Sequence, residues 1–164
     1  MTSDDYNQCV EKYADAIYRF AYRHLRTEDD AKEIVQIAFE KFWMKHGDIQ
    51  IEKAKSYLFT IVNNCIVDEY RKRKFTADVN SLNASDHPKT ESQFTDHKLK
   101  EILQKALDEL TPILRTVLLL RDYEGYSYAE IGEVTNLNES QVKVYIFRAR
   151  QTMKSKLGKN PFTT

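Results

Sequence analysis

The chain has 164 residues with 25 Lys and Arg against 25 Asp and Glu, so its formal net charge is zero. That balance excludes a uniformly basic nucleic-acid coat, and the length allows one ordinary domain or two small helical ones. No signal peptide or membrane-spanning apolar run is present, and Cys9 and Cys65 form no CxxC pair, which reads as a reduced, cytoplasmic protein without direct membrane insertion.

Gly and Pro are scarce at four and three residues, and long segments repeat their apolar residues at helical spacing, with no alternating strand pattern. The expected fold is therefore all-α. A first helix is expected over about Asp5 to Leu25. A second runs from Asp29 or Asp30 to His46, with Thr27-Glu28-Asp29 supplying the cap and Gly47 the stop. Its inner stripe is Ala31, Val35, Ala38, Phe39 and Phe42, and its outer side shows Glu33, Ile37, Glu40 and Met44. Apolar residues set among carboxylates suit a protein partner and repel nucleic acid.

A loop through Asp48 to Ile51 leads to a third helix over about Lys53 to Lys74, ending in the cations Arg71-Lys72-Arg73-Lys74. Leu58, Ile61, Val62 and Cys65 form its buried stripe, while Thr60, Asn63, Asn64, Val67, Arg71 and Lys74 face the other way. Amides followed by cations suit a surface that reads bases and then holds backbone. Tyr57 and Phe59 flank the buried stripe and fit either core packing or stacking on unpaired bases.

From Phe75 the composition changes to FTADVNSLNASDHPKTESQF, polar and without apolar periodicity, which marks a flexible linker. The expected units are residues 1–75, a linker over 76–95 and a second unit over 96–164. Helical pattern resumes near Asp96. Thr111-Pro112 opens the next helix, with Gly125 as its stop. Ser127-Tyr128-Ala129-Glu130 is a capping box, and Asn138-Glu139-Ser140-Gln141 is a second one. Two boxes about eleven residues apart define a tight helix-turn-helix with Leu137 in the turn.

The last helix buries Val142, Ile146, Ala149 and Met153, whereas Ser140, Lys143, Val144, Phe147, Gln151 and Lys154 lie opposite. From Ser140 onward the chain has no acidic residue. In a helix-turn-helix the N-terminal part of the second helix meets base edges: Gln141 and Lys143 can hydrogen-bond purines and Val144 can meet a thymine methyl. Arg148, Arg150 and Lys154 lie where they reach phosphates. Phe147 fits groove contact and packing on another helix equally well. The four histidines and two cysteines show no metal-ligand spacing, and no Gly-rich phosphate loop or nucleophile-base arrangement is visible, so no metal, cofactor or enzymatic activity is expected.

These segments together resemble the sigma-70 family of bacterial transcription initiation factors, in its small two-domain extracytoplasmic-function (ECF) group. DDAKEIVQIAFEKFW is similar to family region 2.2, SYLFTIVNNCIVDEYRKRK to regions 2.3 and 2.4, and LDELTPILRTVLLLRDYEGYSYAEIGEVTNLNESQVKVYIFRAR to region 4. The resemblance implies docking on core RNA polymerase through the largest-subunit clamp helices and the flap. It assigns Asp30, Glu33, Gln36 and Phe39 to that contact, with Ile37 and Glu40 beside them.

It further implies that the loop from Gly47 to Ala54 and the helix after it recognise and open the minus-10 promoter element, trapping an unstacked base in a pocket. Tyr57, Asn63, Asn64, Asp68, Arg71 and Lys74 are the expected contacts, while Ser140, Gln141, Lys143, Val144, Arg148 and Arg150 face the minus-35 element. An anti-sigma protein is a further partner that the resemblance suggests. The chain departs from the common pattern at Thr60, at Val62-Asn63 and, in the reading helix, at Val144 and Tyr145, so its promoter preference does not carry over. The competing reading is a conventional helix-turn-helix regulator with an N-terminal sensing or dimerisation domain.

Overall fold

The structure is a computed structural model that describes residues 1–79 and 95–158; the expected linker lies mostly outside the described residues. Helix α1 (Ser3–Leu25) opens on a reciprocal box between Thr2 and Asp5, and its chain turns at Arg26 in the left-handed region, φ 67°. Helix α2 (Glu28–Lys45) is capped by Thr27, whose hydroxyl oxygen accepts from the Asp30 amide. Beyond it the chain makes two short 3₁₀ turns, His46–Asp48 and Ile51–Lys53. Helix α3 (Ala54–Val79) then runs past the cationic cluster into the segment expected as linker.

The second half begins with α4 (Thr95–Asp108). Helix α5 (Pro112–Leu118) starts at the Thr111-Pro112 junction and winds into a π turn over Leu119–Tyr123. Gly125 follows at φ 73°, a conformation that costs glycine little. Helix α6 (Tyr128–Thr135) carries the Ser127–Glu130 box and ends at Asn136 in the left-handed region. Helix α7 (Glu139–Gly158) is opened by Asn138 and Gln141, each side chain accepting from the other's amide at 2.8 and 3.0 Å.

Helices α1, α2 and α3 pack on one another, as do α4, α5 and α6 around α7, and α3 packs against α6. The two halves thus share one continuous buried core. Phe20, Phe42, Leu58, Leu119 and Ile146 are among its fully buried side chains, each stabilising the fold by about 1.5–3 kcal/mol through removal from water.

Two stripes differ from expectation. In α2 the buried residues are Ala31, Ile34, Ala38 and Phe42, while Val35 and Phe39 are half-buried. Ile34 belongs to the core because α2 sits in the angle between α1 and α3. In α3 the buried arc covers about half the circumference, adding Phe59, Asn63 and Ile66 to Leu58, Val62 and Cys65, while Ile61, expected in the stripe, is half-buried. The added arc faces the second half of the chain. The α7 stripe of Val142, Ile146, Ala149 and Met153 is buried as expected.

Candidate nucleic-acid interface and docking face

The face of α7 expected to meet DNA is open to solvent. Ser140, Gln141, Lys143, Val144, Arg148 and Arg150 are all exposed, because α7 spends its opposite stripe on α5 and α6. Val144 is 46% and Phe147 63% exposed, so Phe147 does not serve as packing for a helix of the described residues. Several polar groups on this face have partners: Lys143 Nζ lies 3.7 Å from Glu139, and Arg150 holds Asp122 at 2.5 and 3.0 Å. The two bonds to Asp122 raise the Arg150 pKa. Gln141 spends its side-chain oxygen on the helix cap.

On α2 the exposed residues include Glu33, Gln36 and Glu40, with Ile37 and Phe39 half-buried between them. Asp30 is already engaged: its carboxylate accepts from Arg73 at 2.5 Å and from the Thr27 hydroxyl at 2.7 Å. At the far end of the helix Trp43, 46% exposed, stacks on His46 with ring centres 4.2 Å apart, and Met44 is 80% exposed. The acidic helix therefore ends in an apolar step suited to a protein surface.

The third set, on α3, is divided. Asn64, Asp68, Arg71 and Lys74 are exposed, and Arg71 lies 4.0 Å from Asp68. Tyr57 is half-buried, its ring 6.1 Å from that of Phe42. Phe59 is fully buried and meets Tyr126 edge-on at 5.0 Å; of its two sequence readings, core packing is the one realised. Asn63 is buried, and its side-chain oxygen accepts from the Thr116 hydroxyl at 3.0 Å. In this arrangement Asn63 faces the second half of the chain rather than solvent.

Sequence reasoning missed the polar junction around it. Arg115, 5% exposed, donates to the His24 carbonyl oxygen at 3.1 Å, to the Tyr70 hydroxyl, and to the carbonyl oxygens of Asp108 and Leu110 at 2.9 and 3.1 Å. His24 lies between Thr116 at 3.0 Å and Tyr70 at 3.2 Å. Burial, with the Arg115 charge beside it, holds the His24 imidazole well below its usual pKa. The one available signal was a lone Arg inside PILRTVLLL, since a cation in an apolar run must find acceptors when it folds inward.

Around this junction runs a rim of ion pairs: Arg19–Glu124 at 3.1 Å, Arg26–Asp108 at 2.6 Å, Lys53–Glu133 at 3.5 Å and Lys55–Glu130. The Lys55 hydrogen bond, with those from Ser127, holds the Glu130 carboxyl below the ordinary range. Burial raises the Tyr126 hydroxyl, over whose ring Lys55 sits at 3.7 Å. Between α1, the Ile51–Lys53 turn and α6 lies a cleft of about 420 Å³, with Tyr13, Ile51, Lys53, Lys55, Glu130 and Glu133 in its wall.

The family model for sigma-70 region 2 matches residues 9–76, and that for sigma-70 region 4 matches residues 100–153. The chain belongs to the sigma-70 family. It is 31% identical over 165 aligned residues to the ECF RNA polymerase sigma factor SigE of Mycolicibacterium smegmatis, covering 97% of this chain and 64% of that relative. It is 29% identical to the RNA polymerase sigma factor SigV of Bacillus subtilis, covering 92% of this chain and 90% of that one.

Among solved structures, the sigma factor RpoE of Bartonella quintana, in complex with the anti-sigma factor NepR, is similar with a TM-score of 0.76 at 24% identity, over 95% of this chain and 98% of that one. CnrH, solved with the cytosolic domain of CnrY, gives a TM-score of 0.73 at 22% identity, over 94% and 88%. These likenesses carry the fold. The sigma regions occur in family order, region 2 on α1 to α3 and region 4 on α4 to α7. No helix among the described residues is long and apolar enough to cross a membrane.

Proposed function

We propose that this protein is an ECF-type sigma factor that binds core RNA polymerase, brings it to particular promoters and stabilises the melted DNA, acting in the cytoplasm without covalent chemistry of its own. The observation that carries this reading is the combination in one chain of region 2 and region 4 matches with an exposed helix-turn-helix reading face. Relatives named as ECF RNA polymerase sigma factors support it along nearly the whole of this chain.

Within that reading, α2 docks on polymerase through Glu33, Gln36, Ile37, Phe39 and Glu40, with Asp30 holding the helix start. The clamp helices are its target, and region 4 meets the flap. The Gly47–Ala54 loop and α3 engage the minus-10 element through Tyr57, Asn64, Asp68, Arg71 and Lys74, whereas Asn63, expected among these contacts, is buried against Thr116. Helix α7 reads the minus-35 duplex through Ser140, Gln141, Lys143 and Val144, while Arg148 and Arg150 hold phosphates. Arg150 keeps its Asp122 partner while doing so, which fixes the guanidinium against the helix. The similar sigma factor RpoE, solved with the anti-sigma factor NepR, supports an anti-sigma protein as a regulator here too.

Reconstitution tests the proposal. Purified core polymerase with this protein should start transcription from a subset of genomic fragments that core alone leaves silent. A protein that footprints duplex DNA unaided yet starts no transcription with core polymerase is a conventional helix-turn-helix regulator instead.

A further inference from the structure

No acidic residue lies in the chain from Ser140 onward, yet three cations of α7 have carboxylate partners. Glu139 at the start of the helix faces Lys143 at 3.7 Å, Glu109 just past α4 faces Lys156 at 2.8 Å, and Asp122 faces Arg150. The three pairs differ in kind. Each lysine meets its carboxylate by one contact at the end of a flexible stem, and exposed pairs of that sort hold little. Arg150 is held by two bonds: its Nε donates to Asp122 Oδ2 at 3.0 Å and its Nη2 to Oδ1 at 2.5 Å. A fork of two parallel bonds fixes the plane of the guanidinium, which a single contact does not.

Asp122 reaches α7 from the π turn Leu119–Tyr123, whose Leu119 and Leu120 are anchored in the core. Single π turns recur at functional sites, and this one sets a carboxylate against the helix that reads DNA. Of the guanidinium N–H groups, those on Nη1 and the second on Nη2 are not used by Asp122 and suit a phosphate oxygen. The Arg150 side chain is 51% exposed, so a phosphate has access to it. We propose that Asp122 is a positioning residue for minus-35 recognition: it aims Arg150 at one phosphate of the duplex, and its charge weakens the hold of that arginine on backbone presented in any other register. The inference rests on the reading of α7 as the duplex-reading helix. A phosphate that fits the aimed guanidinium gains its hydrogen bonds without the cost of ordering a long side chain. A phosphate placed elsewhere meets a cation already partnered by a carboxylate that repels it. The pair therefore weakens binding to arbitrary duplex more than binding to the preferred site, and it raises discrimination without touching a base.

The test uses the full-length protein and two fluorescent duplexes of equal length, one selected by the protein from a randomised library and one scrambled from it. Asp122→Asn keeps the size of the side chain and one oxygen acceptor but removes the charge. It should bind the scrambled duplex about fivefold more tightly at low salt. The slope of log affinity against log salt on that duplex should steepen by about 0.9, the contribution of one phosphate. Affinity for the selected duplex should stay within about twofold, because the lost aim offsets the removed repulsion. The ratio of the two affinities therefore falls.

If Asp122 only holds α7 in its seat, Asp122→Asn lowers both affinities together with the melting temperature, and that outcome overturns the proposal. The partner supplies a second measurement. In an Arg150→Gln background the affinity ratio should be the same with and without Asp122→Asn, since the carboxylate acts through the guanidinium. A change of ratio that persists without Arg150 overturns the proposal as well. A wild type that separates the two duplexes, with an unchanged ratio in Asp122→Asn, leaves the reading of α7 standing and overturns the proposal alone. A wild type that binds both duplexes equally removes the sequence-reading role from α7, and the proposal with it.

Discussion

Thr116 and Asn63 are 53 residues apart and joined by a 3.0 Å hydrogen bond in a buried site. A hydroxyl has one proton to give, so Thr116, donating to Asn63, accepts from His24 Nε2. The Tyr70 hydroxyl lies 3.2 Å from Nδ1 but gives its one proton to the His24 carbonyl oxygen at 2.9 Å, and burial with Arg115 alongside keeps the imidazole neutral.

A pH dependence follows from that neutral ring. A base whose folded pKa lies below the unfolded value of 6.5 contributes fully above that value and loses its contribution as pH falls toward the folded pKa. Unfolding free energy should drop by up to about 1.4 kcal/mol per pH unit as the pH falls below 6.5 toward the depressed folded value. The charged or titratable side chains facing the ring are Arg115 and Tyr70. Denaturant titrations should show this slope in the wild type and a flatter one in His24→Gln. Equal slopes would place the proton uptake elsewhere.

Gly132 governs the angle at which α7 leaves the turn. A Cβ there would lie 2.7 Å from the Leu137 carbonyl oxygen, backbone that is itself tied to Gly132 by a 3.2 Å bond from the Leu137 amide. Gly132→Ala should destabilise the protein by about 1–3 kcal/mol, visible as a melting temperature several degrees lower. Duplex binding by the folded fraction should weaken as α7 is displaced. An unaltered melt would mean the turn relaxes freely.

Local signals located most of the helices. Thr27, Ser127 and Asn138 cap where the sequence placed caps, and the α7 stripe is the buried one, because capping and periodicity depend on neighbours within one or two turns. The second packing face of α3 was not legible. Asn63 read as part of an outer, DNA-facing side and Phe59 as a flank of the buried stripe until α5 and α6 are brought against them, and no local pattern encodes a contact between Asn63 and Thr116. Asn63 sits next to Asn64 in sequence, yet one is buried and the other exposed. The amide pair alone could not separate them.

The α2 face makes a prediction about polymerase. Glu33 is exposed and Ile37 half-buried, so Glu33→Arg/Ile37→Arg replaces an acidic, apolar patch by two cations with limited disturbance of the core. Affinity for core polymerase, measured by fluorescence anisotropy, should fall at least tenfold, about 1.4 kcal/mol. Glu33→Arg/Glu40→Arg, which alters only exposed positions, should fall in the same direction. Unchanged affinity in both, with helicity intact, would remove this face from the interface.

Base reading by α7 is best tested at Lys143. Its ammonium is exposed and paired only loosely with Glu139 at 3.7 Å, and such an exposed pair contributes little to stability. Lys143→Ala should therefore leave the melting temperature nearly unchanged while altering base preference at one minus-35 position by about 1–3 kcal/mol, if the lysine meets a purine edge. Gln141→Ala differs because the same side chain accepts from the Asn138 amide at 3.0 Å. It should lose part of a helix cap, about 0.5–2 kcal/mol, together with any base contact. Selection from a randomised minus-35 library separates the roles. A changed preferred base for Lys143→Ala marks direct readout, whereas a uniform loss across all sequences, with a shallower salt dependence, assigns Lys143 to phosphate.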